Sequence, residues 1–214
     1  MYLIDASYFI REIHIPNVNE SNNGSSENLD YFIDEKVRLL LSTKALGGTL
    51  FTEFNGYVTN GVLSNTAPQK WKDLVNGKTY TKDDKNYIWE GLLQTKGTFK
   101  KSLLAYYTYY YWLMDNVSLM AGVGEVRGEA KNAMGVNSTQ RLVTIWNEFV
   151  KMYQGENTCF NGVKYVYNGV PITDYYNQNS GSYVSLLQFL KDNETDYPDA
   201  QLEMFEFQNQ LGLK

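Results

Sequence analysis

The stretch Phe99-Lys-Lys-Ser-Leu-Leu-Ala-Tyr-Tyr-Thr-Tyr-Tyr-Tyr-Trp-Leu-Met-Asp-Asn-Val-Ser-Leu-Met-Ala121 decides the fold. Apolar and aromatic side chains recur in it at the spacing of an α-helix and form two adjoining rows. The rows consist of Leu103, Tyr107, Tyr110, Met114, Val117 and Ala121, and of Tyr106, Leu113 and Met120. A helix with so little polar surface belongs in a core, a membrane or a subunit interface.

Polar side chains argue against a membrane location for this helix. Thr108, Asp115, Asn116 and Ser118 interrupt it. Tyrosine prefers the membrane interface to the hydrocarbon centre, where a spanning helix would place most of these rings. We therefore expect a buried helix at the centre of a core.

The composition indicates a globular protein with 214 residues, of which 43% are hydrophobic and 20% charged. Aromatic residues make up 15%, with 18 tyrosines. Such residues suit surfaces that become buried on assembly, although an AT-rich genome also enriches tyrosine codons. The net charge of −5 and the absence of long basic runs argue against tight, sequence-independent nucleic-acid binding.

Further helices are predicted around the aromatic one. Apolar periodicity predicts a helix over Leu29–Lys44, ended by Gly47-Gly48, and a shorter piece over Thr49–Tyr57. Another begins at Asn137 or Ser138 and ends at Gly155. Its polar face consists of Gln140, Thr144, Asn147, Glu148 and Lys151. A short helix is predicted over Tyr183–Lys191.

Strand signals concentrate in one region. Asn161-Gly162 and Asn168-Gly169 are dipeptides typical of type I′ turns, and they flank Val-Lys-Tyr-Val-Tyr. This pattern predicts a hairpin or small meander. The segment 71–89 contains Asn76-Gly77 and is predicted to be rich in loops.

The amino-terminal region predicts an arm. Tyr2–Ile15 is apolar, ends at Pro16 and continues into a polar, flexible loop. Such an arm could dock on a neighbouring subunit, or it could fold on the core of its own chain. The first residues lack a basic region followed by an apolar run, so we expect no secretion signal.

The residues that commonly carry chemistry are sparse. Cys159 is the only cysteine, which excludes intrachain disulfides, and we interpret it as a core residue. His14 is the only histidine, which excludes two-histidine zinc sites. Gly122, Gly124 and Gly128 lack the spacing of a dinucleotide loop and are interpreted as a flexible connector.

Acidic residues near this connector offer the best alternative site. Asp115, Glu125 and Glu129 could supply a carboxylate pair, but a solvated cluster or salt bridges across a subunit boundary are the favoured interpretation. Asp83-Asp84 and the stretch 192–196 lack a calcium-loop pattern. We therefore predict no catalytic, cofactor-binding or metal-binding residues.

Several stretches together resemble one protein family. They are Trp89-Glu-Gly-Leu-Leu, the segment from Lys101 to Asn116, Gly122-Val-Gly-Glu-Val, and the segment from Ser138 to Tyr153. Their order resembles the head–tail connector, or ring, proteins of tailed phages that infect Bacteroidetes, including crAss-like phages. Tyr8-Phe-Ile-Arg-Glu-Ile-His-Ile-Pro-Asn and the terminal Asn-Gln-Leu-Gly-Leu are similar to the same group.

Together with the helical pattern, the resemblance implies a mainly α fold. The expected architecture is a small helical bundle around the central aromatic helix, with a projecting β-hairpin and an extended N-terminal arm. The expected divisions are an arm and loop over 1–26, a helical core over 27–157, a hairpin over 158–174, and a C-terminal helix and tail over 175–214.

The function implied by the resemblance is structural. The chain would be a virion protein and not an enzyme, assembled in the host cytoplasm and located at the head–tail interface. About twelve copies would form a homo-oligomeric adaptor ring. The ring would bind the portal protein and neighbouring ring or tail proteins and would line the DNA exit channel. Double-stranded DNA would pass without tight binding, and no membrane or cofactor would be involved.

The implied contacts lie on the arm, the hairpin and the tail. The candidate interface residues are Tyr8, Phe9, Ile13, Ile15, Tyr165, Tyr167, Val170, Leu211 and Leu213. The main alternative is a small cytosolic helical enzyme or ligand-binding domain that uses the acidic cluster. A capsid or tail-fibre accessory protein is a third possibility, which the helical pattern disfavours.

Overall fold

Helices and short hairpins alternate along the chain. The computed structural model describes residues 3–15, 25–117, 119–121, 124–126, 138–155, 159–160, 163–164, 166–167, 170–171 and 182–208. Its α-helices are α1 (Ser25–Leu40), α2 (Gly47–Gly56), α3 (Gln69–Asn76), α4 (Leu103–Val117), α5 (Ser138–Gln154) and α6 (Leu186–Asp192). A π-helix (Leu41–Ala45) continues α1, and 3₁₀ turns occupy Ala6–Tyr8 and Arg11–Ile13.

The strands are short and pair mostly as hairpins. The first six are β1 (Val58–Thr59), β2 (Val62–Leu63), β3 (Lys78–Lys82), β4 (Lys85–Trp89), β5 (Gln94–Lys96) and β6 (Phe99–Lys101). The remainder are β7 (Leu119–Ala121), β8 (Gly124–Val126), β9 (Cys159–Phe160), β10 (Val163–Lys164), β11 (Val166–Tyr167), β12 (Val170–Pro171) and β13 (Ser182–Tyr183). The antiparallel pairs are β1–β2, β3–β4, β5–β6, β7–β8, β9–β10 and β11–β12, and β13 pairs parallel to β4.

Helix α4 is the centre of the core, as the aromatic stretch predicts. Every residue from Leu103 to Tyr110 is at most 9% exposed, so the first two turns are buried on all sides. Helices α1 and α5 pack against it. The helix begins later than predicted because the Ser102 hydroxyl accepts a hydrogen bond from the Leu104 amide (3.1 Å), while Phe99–Lys101 forms β6.

The π-helix changes how the first helix ends. The Leu46 amide donates to the Leu41 carbonyl at 2.9 Å, five residues back, and Gly47 then adopts a positive φ of 77°. Helix α2 begins at once. The first helix therefore ends at the predicted glycines, but a π-helical turn precedes them.

A three-stranded sheet occupies the segment predicted to be rich in loops. β3 and β4 pair from Lys78↔Trp89 to Lys82↔Lys85. Their turn residues, Asp83 and Asp84, both have positive φ, as a type I′ turn requires. Because this turn lacks the usual Asn-Gly signal, the loop prediction for 71–89 was wrong.

Helix α6 covers one part of this sheet. The rings of Trp89 and Phe189 stack with centroids 5.5 Å apart and planes 17° apart. Asp192, whose side chain is 4% exposed, accepts hydrogen bonds from the Tyr80 hydroxyl (2.8 Å) and from Lys82 Nζ (2.7 Å). The sheet and α6 thus form a joint layer beside the helices.

The predicted mainly α bundle is wrong, because the fold is mixed α and β. Beside its six α-helices, the described part of the chain contains thirteen short strands, most of them paired as hairpins. The strands arise from tertiary pairing of segments with weak local signals, such as β3, β4 and β13. The N-terminal arm is not extended either, since 3₁₀ turns shape it and Asp5 caps the first turn by accepting from the Ser7 amide (2.9 Å).

The predicted strands within 158–174 are present as two hairpins. Phe160 pairs with Val163 and Tyr167 pairs with Val170. Asn161-Gly162 and Asn168-Gly169 therefore each fall in the sequence between two paired strands, as the prediction requires. Whether this region projects from the helices, as predicted, depends on residues that lie outside the described ones.

Two glycines allow the end of α3 to meet the end of β4. A Cβ added to Gly91 would lie 2.5 Å from the Val75 carbonyl oxygen, and one added to Gly77 would lie 2.6 Å from that of Trp89. Both have positive φ, 91° and 96°. The close approach also lets the Leu92 amide bond the Leu74 carbonyl at 3.1 Å.

We predict that Gly91→Ala destabilises the protein by more than the roughly 1–2 kcal/mol expected from an unfavourable left-handed backbone conformation. The added methyl group overlaps backbone atoms that cannot move independently. Gly97→Ala is the matched control, because Gly97 also has positive φ (65°) but has no atom within 4 Å of an added Cβ. Equal losses in urea unfolding of the two variants would contradict the steric explanation.

Candidate interaction site of the terminal segments

A groove on the helices holds an extended part of the chain. We call residues 201–208 the tail segment, and the surface formed by the π-helix, α4 and α5 the tail groove. The tail segment contains no helix or strand. Its position is set by an aromatic anchor, by side-chain amides of α5 and by carbonyl groups of the π-helix.

The aromatic anchor is Phe205. Its ring lies edge-on to Trp146 (5.5 Å, 89°), Phe149 (5.1 Å, 70°) and Tyr153 (4.9 Å, 78°), measured between ring centroids. Tyr107 of α4 lies behind them at 6.4 Å. Edge-to-face pairs of this kind contribute about 0.5–1.5 kcal/mol each beyond the area they bury. Phe205 therefore fixes the tail segment against the core.

Two side-chain amides of α5 each form a reciprocal pair with the tail backbone. Gln154 donates from Nε2 to the Phe205 carbonyl (2.8 Å) and accepts from the Phe205 amide (2.7 Å). Asn147 does the same with Gln208, at 2.8 and 2.9 Å. In both pairs the helix bonds the main chain of the tail as a neighbouring strand would.

The spacing of the two amides matches the spacing of the tail. Asn147 and Gln154 lie seven residues apart, which is about 10.5 Å along an α-helix. Phe205 and Gln208 lie three residues apart, which is about 10 Å along an extended chain. The two pairs can therefore form together on one face of α5. The helix and the tail segment run in opposite directions along this face.

The π-helix supplies acceptors at the other end of the groove. The Gln201 amide donates to the Ala45 carbonyl and the Glu203 amide to the Lys44 carbonyl, both at 3.0 Å. The Tyr153 hydroxyl also donates to the Lys44 carbonyl at 2.6 Å. Burial and the nearby Glu203 carboxylate raise the pKa of Tyr153, so the hydroxyl remains a donor at neutral pH. The tail thus satisfies carbonyls that the end of the helix leaves open.

The outer side of the tail segment faces solvent. Met204 is 55% exposed, and Glu203 and Glu206 are exposed as well. The inward contacts involve both the main chain and the side chains of the tail, because Trp146 Nε1 donates to the Glu206 carbonyl at 2.8 Å and Gln208 Nε2 donates to the Tyr110 hydroxyl at 3.0 Å. The groove therefore holds the backbone of the tail segment together with the partly buried side chains of Leu202, Phe205 and Phe207.

The N-terminal segment is held on the same helices. Tyr106 of α4 donates a short hydrogen bond to the Glu12 carboxylate, and Arg141 of α5 donates to the Glu12 carbonyl at 2.9 Å. Lys100 Nζ donates to the Ser7 hydroxyl at 2.6 Å. Burial raises the pKa of Glu12, but the Tyr106 hydrogen bond and the charges of nearby basic side chains outweigh it and lower that pKa.

Several predicted interface residues lie inside the chain's own core. The members at the N-terminus are Tyr8, Phe9, Ile13 and Ile15, which are 7, 3, 3 and 6% exposed. Of the two alternatives for the arm, the structure therefore favours the one in which it folds on its own core. The prediction that these residues contact other subunits stays a prediction, and contact would require them to leave this core.

The other predicted interface residues are placed only in part. Tyr167 and Val170 are paired neighbours in β11 and β12. Tyr165, Leu211 and Leu213 lie outside the described residues. The prediction that Leu211 and Leu213 contact other subunits stays a prediction.

The alternative acidic site is not assembled in the part of the chain that the structure describes. Asp115 is exposed on α4, Glu125 lies in β8, and Glu129 lies outside the described residues. Among described residues, no group of three or more His, Cys, Asp or Glu side chains could hold a metal ion. His14 is exposed, and Cys159 lies in β9.

The sequence pattern missed the two residues that matter most in the groove. Asn147 was assigned to the polar face of its helix, and Gln154 received no role. Both positions are polar in the sequence, and only their separation of seven residues marks a shared face. An amide is as suitable for solvent as for a backbone partner, so residue type alone could not identify this function.

The chain matches no known protein-family model, no curated protein and no solved structure. Within the described residues, no helix has both the length and the apolar character required to cross a bilayer. Function must therefore be argued from the geometry above and from the resemblance of the sequence.

We predict that Gln154→Ala loosens the tail segment. The change removes two hydrogen bonds, each with a net contribution of about 0.5–1.5 kcal/mol. Hydrogen exchange should accelerate at the Phe205 amide, which loses its acceptor. Thr144→Ala on the same helix is the control, since its exposed hydroxyl bonds the Gln140 carbonyl within α5. Unchanged protection at Phe205 would show that the reciprocal pair does not hold the tail.

We predict that Glu12→Gln flattens the acid side of the stability profile. A carboxyl group with a lowered folded pKa stabilises the fold above its unfolded pKa, about 4.3. That contribution is lost as pH falls through the folded pKa. The melting temperature of the unaltered protein should therefore fall more steeply below about pH 5 than that of the variant. Glu194→Gln, at an exposed position, is the control and should retain the steeper profile.

Proposed function

We propose that this chain is a structural virion protein, a head–tail connector that forms an adaptor ring between the portal and the tail of a phage. In this function the protein assembles and does not turn over a substrate. Copies pack around a channel for DNA, and segments at the chain termini complete contacts between subunits. The ring acts at the head–tail interface after assembly in the host cytoplasm.

The observation that carries the proposal is the way α5 holds an extended segment. Asn147 and Gln154 bond backbone atoms, and Phe205 fills an aromatic site. Connector subunits must grip extended segments because such segments can reach a neighbour without a large rigid interface. A catalytic site would instead need convergent reactive side chains.

The terminal segments are both held by helices α4 and α5, and this arrangement supports the same function. Tyr106 of α4 and Arg141 of α5 donate hydrogen bonds to the N-terminal segment. Side-chain amides of α5 form the hydrogen bonds to the tail segment. Contacts at the two ends of the chain are thereby coupled through a shared pair of helices. Such coupling suits a subunit whose neighbours lie on two sides.

The charge of the protein also fits a channel that DNA must pass. The net charge is −5, so the chain carries no overall attraction for the phosphate backbone. The resemblance to phage connector proteins is strongest over 89–153, which contains α4 and all of α5 except its last residue. These features support passage of DNA without tight binding.

The enzyme alternative has less support in the described residues. A cavity lined by Trp89, Gln94, Leu103, Met152 and Tyr183 has a volume of about 20 Å³. A single water molecule needs about that much space. This cavity, which Glu90 and Ser185 also line, is thus far smaller than a substrate site.

We predict that the full-length tagged chain, expressed in infected host cells, purifies with portal and tail proteins. Mass spectrometry of the purified material gives the identity of the partners. A tagged Arg141→Ala variant loses the bond to the Glu12 carbonyl and should recover less of them, while Thr144→Ala should recover as much as the unaltered chain. Recovery of metabolic enzymes, or of the chain alone, would overturn the connector proposal.

The experiment uses the full chain because a shortened one is unsuitable. Removal of residues 1–20 would take away part of the hydrophobic core. Six apolar side chains of that region are buried, namely Leu3, Ile4, Tyr8, Phe9, Ile13 and Ile15. Each contributes about 1.5–3 kcal/mol when fully buried. Their combined loss is comparable to the whole stability of a domain, about 5–15 kcal/mol.

A further inference from the structure

We propose that neighbouring copies of this chain bind each other through two different surfaces, a basic cluster at the start of α5 and an acidic stretch at its end. The basic cluster of one copy contacts the acidic stretch of the next. This inference rests on the proposed ring function, which places identical copies side by side, and it names the surfaces that join them.

The basic cluster lies where the N-terminal segment meets β6 and the start of α5. Its cations are Arg11, Lys100, Lys101 and Arg141. In the described part of the chain, Lys100 is the one member that forms an ion pair, with Asp5 at 3.9 Å. Glu12 is the other carboxylate of this region, and Arg141 donates to its carbonyl at 2.9 Å. Four cations beside two carboxylates leave a surplus of positive charge.

An aromatic ring lies under each cation of the cluster. The charged groups are 4.6 to 5.8 Å from the ring centroids, in the pairs Arg11–Phe99, Lys100–Tyr8, Lys101–Tyr106 and Arg141–Tyr109. Because Tyr8, Tyr106 and Tyr109 are at most 7% exposed, their rings cannot stack with a ligand, and the charged groups are what the surface offers. Cations held in this way lose less conformational freedom when they bind a partner.

The acidic stretch comprises residues 194–203, which follow α6 and enter the tail groove. Its four carboxylates belong to exposed residues, namely Glu194, Asp196, Asp199 and Glu203. Glu203 pairs with Lys44 at 2.7 Å, and the other three form no ion pair with a described residue. Tyr197 is 2% exposed and the Gln201 amide bonds the Ala45 carbonyl at 3.0 Å, so the stretch is fixed to the body. It presents a surplus of negative charge.

The two surfaces lie at opposite ends of α5. Arg141 is near the beginning of this helix, whereas Tyr153 near its end donates to the carbonyl of Lys44, the residue that binds Glu203. Tyr153 lies twelve residues after Arg141, which is about 18 Å along an α-helix. The Debye length at physiological salt is about 8 Å, so salt largely screens the two surfaces of one copy from each other. Both are therefore available to another molecule.

Charge complementarity identifies a second copy as the partner. Every copy carries one basic cluster and one acidic stretch, so each contact between two copies leaves one surface of either kind free at the ends. Contacts between two different surfaces generate rings when the rotation between neighbours closes. A DNA duplex fits the basic cluster less well, because it also meets the net charge of −5 and leaves the acidic stretch without a partner.

Carbodiimide cross-linking tests the contact in the full-length protein. The reagent couples a lysine amine directly to a carboxylate, without a spacer. Copies with natural and with heavy nitrogen are mixed at high concentration and treated. We expect a product of about twice the 24.6 kDa chain mass, in which Lys100 or Lys101 is joined to the stretch 194–203. Peptide masses that combine both isotopes show that the bond joins two copies.

A matched pair of variants identifies the acidic partner. Asp196→Asn with Asp199→Asn removes two exposed charges and should give about tenfold less of this product, as should salt of about 1 M, which shortens the Debye length to about 3 Å. Asp83→Asn with Asp84→Asn removes two exposed charges from the β3–β4 turn and should leave the yield unchanged. Melting curves establish that both variants fold.

Two results would overturn the contact between copies. One is the absence of the joined peptides from the unaltered protein. The other is an equal yield from the two variants. A DNA duplex that binds the unaltered protein, and loses affinity on Arg11→Gln while no joined peptides form, would also reject the second copy and identify phosphate groups as the partner of the basic cluster.

The outcomes separate this inference from the proposed function. Recovery of portal and tail proteins without joined peptides would leave the connector function standing and reject this contact. Joined peptides without recovery of virion proteins would support the contact and reject the connector function.

Discussion

The burial of α4 on every side is the constraint on which the rest of the structure depends. A helix whose first two turns, Leu103 to Tyr110, are all nearly inaccessible must be surrounded by other parts of the chain. Helices α1 and α5 cover two sides, and the N-terminal segment covers a third. The tail segment adds Phe205, whose ring centroid lies 6.4 Å from that of Tyr107 on α4. Segments that would otherwise be free are thus recruited into the core.

The same constraint explains why the terminal segments are held by hydrogen bonds to their backbones. Where an extended segment packs against a helix, its inward amides and carbonyls are shielded from water and must find partners in the protein. Asn147 and Gln154 do this on one side, and the open carbonyls at the end of the π-helix do it on the other. A groove that binds main chain in this way is suited to holding segments in an assembly.

The sequence predicted the helices more accurately than the strands, and the central helix more accurately than the tail groove. Apolar periodicity marked α1, α4 and α5 because a buried helical face needs a repeating pattern. β3 and β4 were missed because Asp83-Asp84 is an unusual turn, and β13 was missed because its partner β4 lies far away in the sequence. The groove was missed because an amide on a polar helix face looks the same whether it meets solvent or a backbone.

The sequence by itself determined a buried aromatic helix, its flanking helices and the two short hairpins marked by Asn-Gly. Those features follow from local spacing and from turn chemistry, which neighbouring residues carry. Only the tertiary structure decided that the arm folds inward and that Asn147 and Gln154 grip the tail. Both depend on segments far apart in the chain. Their contacts form only when the core around α4 brings them together.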